Sequence, residues 1–224
     1  MITQRPVHFG DVVRNAIVFN MRNQRESLVS TDALLRDVSR LFDLLHERQI
    51  DYLLVGGIAM LHYVEGRNTE DINLIVALTS LRQLPEIDID SQDNSFARGK
   101  FQALQIDFLL SGNPLFAEVQ HNYATVQAFT ERDIPCATVE GLMLLKLYAL
   151  PSLYRQGNFM RVGLLENDIA SLIQAYQPDF PLLFEKLDQH LNSSDMGELQ
   201  TIVAEIQQRV ERFRRGVGPA SLED

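Results

Sequence analysis

The sequence predicts an α+β fold, in which a sheet flanked by helices is followed by an all-helical C-terminal part. Between residues 52 and 110, short apolar runs alternate with polar residues and are bounded by turn residues, which is typical of strands. From Thr138 onward, apolar residues recur every three or four positions, which is typical of amphipathic helices. The chain is therefore divided into an unassigned N-terminal segment (1–30), a core (31–135), a helical part (136–214) and a flexible tail (215–224).

The core begins with a predicted helix over residues 31–49, where an apolar stripe follows a Ser30/Thr31 cap. A short buried strand at 52–55 then ends in the turn Gly56-Gly57, and residues 58–63 can form a short helix. Two further strands are predicted. Residues 71–76 have an exposed start and a buried end, and residues 101–110 place Asp107 on the face opposite Ile106, Phe108 and Leu110.

The second half is predicted to contain helices only. Thr138 can cap a helix over residues 139–149 that Pro151 stops, and two more helices are expected at 164–176 and 182–191. The last helix is expected to start near Asp195, with Glu198 three residues on as in a capping box, and to end at Gly216, Gly218 and Pro219.

Composition excludes several classes of protein. The chain has 224 residues, of which 46% are hydrophobic and 22% charged, so it should fold into a globular structure. Its net charge of −10, with basic residues spread along the chain, argues against nonspecific binding of duplex DNA through phosphate contacts. The single cysteine, Cys136, cannot form an internal disulfide, which favours a reducing compartment.

No membrane segment or export signal is expected. The longest uncharged stretch near the middle, residues 52–64, is far shorter than the ~20 residues that span a bilayer. The first ten residues include Arg5, Pro6 and His8 instead of an apolar signal core. A cytoplasmic location is therefore predicted.

A candidate functional site combines the glycine turn with oxygen-bearing side chains on neighbouring strands. Because side chains alternate along a strand, Asp71 and Asn73 project from the same face, about 7 Å apart at their roots. Gly56 and Gly57 have no Cβ to hinder a close backbone approach, and the following helix start offers N–H groups to an anion. Together with Asp107, these hard oxygen donors suit Mg²⁺ shared with substrate phosphates.

These residues resemble the signature of the nucleotidyltransferase superfamily, which includes DNA polymerase beta and the antibiotic nucleotidyltransferases. Val55-Gly56-Gly57 is followed, after thirteen residues, by Asp71-Ile72-Asn73-Leu74, and Asp107 stands as the later carboxylate. The chain looks closest to the AbiEii-like toxin branch. That narrower resemblance is carried by His62, Arg67-Asn68-Thr69-Glu70-Asp71, Ile134-Pro135 and Lys146 within Leu142–Leu147.

The resemblance implies a small mixed sheet and Mg²⁺-dependent, two-metal transfer of NMP from a nucleoside triphosphate to a hydroxyl of RNA, a protein or a small molecule. Asp71, Asn73 and Asp107 would be the catalytic and metal-binding positions. Gly56, Gly57, Arg67, Thr69 and Lys146 would contact the substrate. It also implies a toxin–antitoxin setting, with an antitoxin or a second copy of the chain as a possible partner.

One position departs from the family pattern. Asn73 stands where the family has a carboxylate, so the site loses a formal charge and a group able to bridge two cations. Catalysis is therefore expected to be weakened or lost. The alternative is a catalytically inactive module that binds a nucleotide or a partner. A third possibility is an interaction protein that works through the C-terminal helices.

Structural interpretations of the same residues stay open. The Lys146 ammonium, in a helix that is apolar on nearly every side, must snorkel, pair with an acid or face an anion. Arg67 and Thr69 could order the loop before Asp71, and the glycine pair could be an ordinary connection that needs a positive φ. For His62 and Cys136, packing is favoured over catalysis.

Overall fold

The computed structural model describes residues 31–64, 71–129 and 132–216. The predicted substrate-binding residues Arg67 and Thr69 lie outside these ranges, as do the N-terminal segment 1–30 and residues 217–224 of the tail. The chain divides into two compact units between Leu142 and Met143.

The first unit contains a seven-stranded mixed sheet, in agreement with the predicted fold class. Its strand order is β3-β4-β5-β2-β1-β7-β6. β1 is antiparallel to β2 and parallel to β7, and β2 is parallel to β5. The strands are β1 (Tyr52–Val55), β2 (Ile72–Val76), β3 (Asp88–Gln92), β4 (Phe96–Phe101), β5 (Leu104–Leu110), β6 (Ala124–Ala128) and β7 (Asp133–Ala137).

Four helices of the described ranges lie wholly within the first unit. The helix α1 contacts β5, and α4 contacts β2, β5 and β6, so both pack on the sheet. They are α1 (Thr31–Glu47), α2 (Gly56–Met60), α3 (Leu78–Leu81) and α4 (Pro114–Asn122).

In the central strands, the side chains on one face of the sheet are more buried than those on the other face. In β5, Leu104, Ile106, Phe108 and Leu110 are buried, whereas Gln105, Asp107 and Leu109 are partly exposed. This confirms the predicted alternation around Asp107. In β2 the start is partly exposed at Asn73 and the end is buried, as predicted. One face of these strands therefore faces the core, and the polar side chains stand on the other.

The strand predicted at 101–110 corresponds to β5 but begins three residues too early, at the end of a strand that was not predicted and before the tight turn that joins the two. β4 ends at Phe101, β5 begins at Leu104, and Gln102 takes up a positive φ of 53° between them. The acidic stretch 85–94, for which the sequence analysis predicted no strand, contains the exposed edge strand β3. Strand β7 runs to Ala137, so the predicted start of the helical part at residue 136 falls inside a strand.

From Val139 to Gly216, the regular elements are all helices, as predicted. The helices are α5 (Val139–Arg155), α6 (Phe159–Tyr176), α7 (Phe180–Leu187) and α8 (Ser193–Gly216), and α6 packs on α8. Thr138 caps α5 by accepting a hydrogen bond from the Gly141 N–H at 3.3 Å.

The prediction that Pro151 ends this helix is wrong. Helix α5 continues through Pro151 to Arg155. Proline removes one helical hydrogen bond, but Leu147 and Leu150 are fully buried on the same helix, and this burial outweighs the local cost. The helix ends instead near Gly157, which has a positive φ of 63°.

None of the helices in the described ranges is both long and apolar enough to cross a membrane.

Candidate functional site

Gly56 links the end of β1 to α2 in a conformation that favours glycine. Its φ is +67°, a region that L-residues with a Cβ rarely adopt. A Cβ built on Gly56 would lie 2.1 Å from the Oδ1 atom of Asn73. The open side of Gly56 is therefore occupied by the Asn73 side chain, and this contact, together with the positive φ, explains why glycine stands here. Gly57 is buried at the start of α2, a helix of only five residues.

The sheet brings the three predicted metal positions to one region. Asp71 lies immediately before β2, and both Asp71 and Asn73 are partly exposed while Ile72 between them is buried. Asn73 is in register with Val55 on one side and with Asp107 on the parallel strand β5 on the other. The positions that the motif predicts to converge are therefore neighbours on adjacent strands.

The carboxylate of Asp107 is held by a residue that the sequence analysis did not identify. Arg98 on β4 lies directly opposite Asp107 on β5. Its guanidinium donates two hydrogen bonds to this carboxylate, from Nε to Oδ1 at 2.6 Å and from Nη2 to Oδ2 at 2.7 Å. These hydrogen bonds raise the pKa of Arg98 above its ordinary value, and the negative charges of Asp107, Asp71 and Asp90 add to the shift.

The sequence contains only a faint signal for Arg98. It is a basic residue between Ala97 and Gly99, which are both buried in β4. Finding its partner requires the β4–β5 hairpin, but the loop Gln102-Ala103 has none of the Gly, Asn or Asp residues that normally mark a two-residue turn.

The donor set does not fit a two-metal centre in this structure. Both oxygens of Asp107 accept hydrogen bonds from Arg98, and the Asn73 oxygen is neutral and lies against Gly56. Across the described ranges, no group of three His, Cys, Asp or Glu side chains is arranged to hold a metal ion. The Mg²⁺ ion expected from the sequence stays a prediction. The Arg98 guanidinium, itself a cation, is already bound to Asp107, one of the predicted metal ligands.

Lys146 forms a buried ion pair. Its Nζ lies 2.7 Å from Oδ2 of Asp168, and the two side chains are only 8% and 4% exposed. Of the arrangements that the sequence left open, the structure contains the pairing with an acid. Both residues belong to the second compact unit, and contact between Lys146 and a substrate stays a prediction.

Two other candidate side chains are packed in the core. The buried His62 ring stands edge-on to Phe129, with ring centroids 4.3 Å apart, and burial lowers its pKa below the usual 6.5. Cys136 in β7 is fully buried, and burial raises the pKa of its thiol to about 12. Both observations agree with the packing interpretation.

The arginines near the C-terminal end of α8 make contacts within the helical unit. Arg209 pairs with Glu166 at 3.4 Å, and Arg215 pairs with Glu211 one turn away at 3.2 Å. The Nη2 atom of Arg214 donates to the carbonyl oxygens of Ile173 and Gln174 near the end of α6. The two contacts of Arg214 place a cation at the last turn of α6, where it complements the negative end of the helix dipole.

Neither a family model nor a curated protein matches this chain. Among solved structures, it is similar to an antigenic nucleotidyltransferase-like protein from Paracoccidioides brasiliensis, at 19% identity and a TM-score of 0.53, over 92% of this chain and 91% of that chain. Two structures of the antibiotic-resistance factor ANT(2'')-Ia, one with adenylyl-2''-tobramycin, match at 11% identity and TM-scores of 0.43. They cover 77% and 81% of this chain and 95% and 96% of theirs.

The first of these similarities confirms that the chain has a nucleotidyltransferase-like fold. The narrower resemblance to the AbiEii-like branch stays a prediction.

Proposed function

We propose that this chain is a nucleotide-binding module, which takes up the phosphates of a nucleoside triphosphate beside Gly56, Asn73 and Asp107 and in which two-metal nucleotidyl transfer is weakened or lost. The nucleotidyltransferase-like fold and the convergence of the motif positions on adjacent strands support a phosphate ligand.

The observation that carries this proposal is the paired state of Asp107. Of the three positions at which the family pattern has carboxylates, Asn73 carries no charge and Asp107 is neutralised by two hydrogen bonds from Arg98. Two divalent cations held close together repel each other strongly unless several negative charges lie between them. The side chains here supply too little negative charge for that arrangement.

A second candidate function is Mg²⁺-dependent transfer of NMP to a hydroxyl of RNA, a protein or a small molecule. It is favoured by the register that places Asn73 beside Asp107 on parallel strands, the arrangement that the motif predicts. In such a transfer the acceptor oxygen bonds to the α-phosphorus while pyrophosphate leaves. Asp107 could assist the acceptor only after it had released Arg98.

Nucleotide binding can be measured directly. Calorimetric titration with ATP, CTP, GTP and UTP, each with Mg²⁺ and with EDTA, is expected to show saturable binding of at least one nucleotide. Amide chemical shifts on addition of that nucleotide should change at Gly56, Gly57 and β2 but not at β6. Absence of binding under every condition, or shift changes confined to other parts of the chain, would contradict the proposal.

Release of pyrophosphate separates the two candidate functions. With Mg²⁺ and total RNA, we expect little release by the natural chain and more by the Asn73→Asp variant. Strong release by the natural chain that Asp71→Ala abolishes would favour the second candidate. Asp51→Ala is the matched control, because Asp51 is an exposed acid directly before β1, as Asp71 is directly before β2.

We also propose an acceptor, a partner and a location for this chain. An RNA or protein acceptor, an antitoxin or a second copy of the chain, a cytoplasmic location and the lack of nonspecific duplex DNA binding all follow from the sequence alone. Purification of the full chain from its native cell, followed by mass spectrometry of bound polypeptides, tests the partner. An interaction protein that works through α5–α8 should keep its partner when Asp71 and Asp107 are substituted.

A further inference from the structure

Arg98 is built into the candidate site by the sheet itself. The β4–β5 hairpin sets Arg98 opposite Asp107, and the parallel pairing of β2 with β5 sets Asp107 beside Asn73. The guanidinium is therefore positioned by backbone pairing on two strands, and its position does not depend on a flexible loop.

The Arg98 guanidinium has N–H groups that are not used in binding Asp107. An arginine has five N–H bonds, of which Arg98 uses one on Nε and one on Nη2 to bind Asp107. The other three meet no acceptor among the residues that the structure describes. The Arg98 side chain is 41% exposed and that of Asp107 is 25% exposed, so the cation is more open to an incoming ligand than the anion that it binds.

The charge of this arrangement differs from that of a metal-binding triad. The side chains at positions 71, 73, 98 and 107 together carry −1, whereas the same set with a carboxylate at position 73 would carry −2, and three carboxylates without Arg98 would carry −3. A guanidinium stays protonated in proteins and is suited to bidentate contact with carboxylate and phosphate. It is also covalently attached, so it cannot be removed by a chelator.

A divalent cation would have to compete for Asp107. It would need to displace two charge-assisted hydrogen bonds of 2.6 and 2.7 Å, and the other two motif positions, Asp71 and Asn73, offer it a single carboxylate between them. The side chains of this site therefore do not suit the metal that the motif implies, because the Arg98 guanidinium is bound to Asp107, where that metal would bind.

We infer that Arg98 is the resident cation of this site: it takes the place of a divalent metal ion at Asp107 and offers its remaining N–H groups to the phosphates of the bound nucleotide, so that binding needs no metal. This inference rests on the proposed nucleotide-binding function. It assigns the ligand as a nucleoside di- or triphosphate recognised through its phosphates.

The test is calorimetric titration of the full chain with ATP in EDTA and in Mg²⁺. We expect the dissociation constants in the two conditions to agree within about threefold. In EDTA, Arg98→Met should weaken binding by about tenfold or more, since it removes a charge-assisted contact of about 1.5 kcal/mol or more. Arg98→Lys, which keeps the charge but loses the planar fork, should give an intermediate value.

Two further variants make the test independent of folding defects. Asp107→Asn removes the competing charge from the guanidinium and should tighten ATP binding in EDTA, a change that loss of structure cannot produce. Arg40→Met is the matched control, because Arg40 is an exposed arginine paired with Glu47 on α1, and it should leave binding unchanged. Circular dichroism verifies that each variant is folded.

Binding of Mn²⁺, followed by electron paramagnetic resonance without nucleotide, gives a second measurement. The natural chain should bind Mn²⁺ weakly, and Arg98→Met should bind it at least about tenfold more tightly because Asp107 is released.

The outcomes separate this inference from the proposed function. ATP binding that requires Mg²⁺, or that is the same in Arg98→Met and the natural chain, overturns the inference and leaves the proposed function standing. Absence of binding of ATP, CTP, GTP and UTP alike, with and without Mg²⁺, overturns both.

Discussion

The side-chain oxygen of Asn73 occupies the space in which a Cβ atom on Gly56 would lie, with only 2.1 Å between that oxygen and the Cβ position. The two residues are brought together because Val55, which precedes Gly56, is in register with Asn73 in the β1–β2 ladder. The residue that departs from the carboxylate pattern is thus part of the packing of the glycine turn. Its role in stability can be measured separately from any role in ligand binding.

Gly56→Ala is expected to destabilise the chain by about 3 kcal/mol or more, because it combines a positive φ with a steric clash. Adding Asn73→Ala should recover part of this loss, because it removes the Oδ1 and Cγ atoms at 2.1 and 2.7 Å but keeps a Cβ at 2.9 Å, and the backbone cost of about 1–2 kcal/mol also stays. Urea unfolding of the single and double variants measures both. Gly163→Ala is the control: Gly163 lies in α6 with open space around its Cβ position, so alanine should stabilise the helix by about 0.5–1 kcal/mol. Equal effects of alanine at positions 56 and 163 would contradict this explanation.

Lys146→Met is expected to cost about 3–5 kcal/mol, because it leaves the buried Asp168 carboxylate without the ammonium 2.7 Å away. Adding Asp168→Asn should recover part of the loss, since a neutral amide is easier to bury than a carboxylate. Thermal unfolding compares the variants with Lys100→Met, an exposed position on β4 where the change should stay within about 0.5 kcal/mol. ATP titration of the folded Lys146→Met variant tests the substrate contact predicted for this residue. A cost no larger than that of Lys100→Met would show that the pair is unimportant for stability.

The stability of the chain should fall as the pH falls below about 6.5, in part because of His62. Burial lowers the pKa of His62 in the folded chain, so the unfolded chain binds the proton more readily. The contribution of neutral His62 to the free energy of unfolding is fully present above the pKa that this residue has in the unfolded chain. It is lost as the pH falls below that value and the unfolded chain takes up a proton. Urea unfolding between about pH 5 and 8 should show a smaller pH dependence in His62→Phe, which keeps an aromatic ring against Phe129. His46→Gln, at an exposed position on α1, serves as the control. An unchanged slope in His62→Phe would exclude this origin.

Cys136 should resist thiol reagents while the chain is folded. Its side chain is fully buried and its pKa is raised to about 12, so very little thiolate exists at about pH 8. Ellman's reagent should therefore react only as fast as the chain opens, and stoichiometrically once urea has unfolded it. Rapid reaction of the folded chain would contradict the burial of β7.

The sequence predicted the α+β class, the glycine turn and the face of Asp107 because these follow from local alternation and glycine chemistry. The Thr138 cap of α5 was predicted correctly. The capping box predicted at Asp195 and Glu198 was wrong: α8 begins at Ser193, and Asn192 before it accepts a hydrogen bond from the Asp195 N–H at 2.9 Å. The strand β3 was missed because all five of its residues are exposed, and β4 was missed because the loop Gln102-Ala103 after it lacks the usual turn residues. The end of α5 was predicted wrongly because the burial of Leu147 and Leu150 outweighs the helix-breaking tendency of Pro151, and no local sequence pattern reports that burial.

The candidate site was predicted as a set of positions, and its chemistry was not. Alternation along a strand suffices to place Asp71 and Asn73 on one face, and the order of the strands together with the family resemblance added Asp107, which the parallel pairing of β2 with β5 sets beside Asn73. The ion pair between Arg98 and Asp107 depends on the register of the β4–β5 hairpin, and the Lys146–Asp168 pair depends on the packing of α5 against α6. Such partners are set by tertiary structure, so a reading of the sequence could only leave them open.

The strand order also affects the path by which the chain reaches this structure. Leu54 of β1 pairs with Cys136 of β7, 82 residues further along the chain. Until β7 has been synthesised, one edge of the apolar strand β1 has no ladder partner, and such edges recruit strands from other molecules. A nascent or truncated chain that stops before Asp133 is therefore the form in which aggregation should begin, and completion of β7 closes that route.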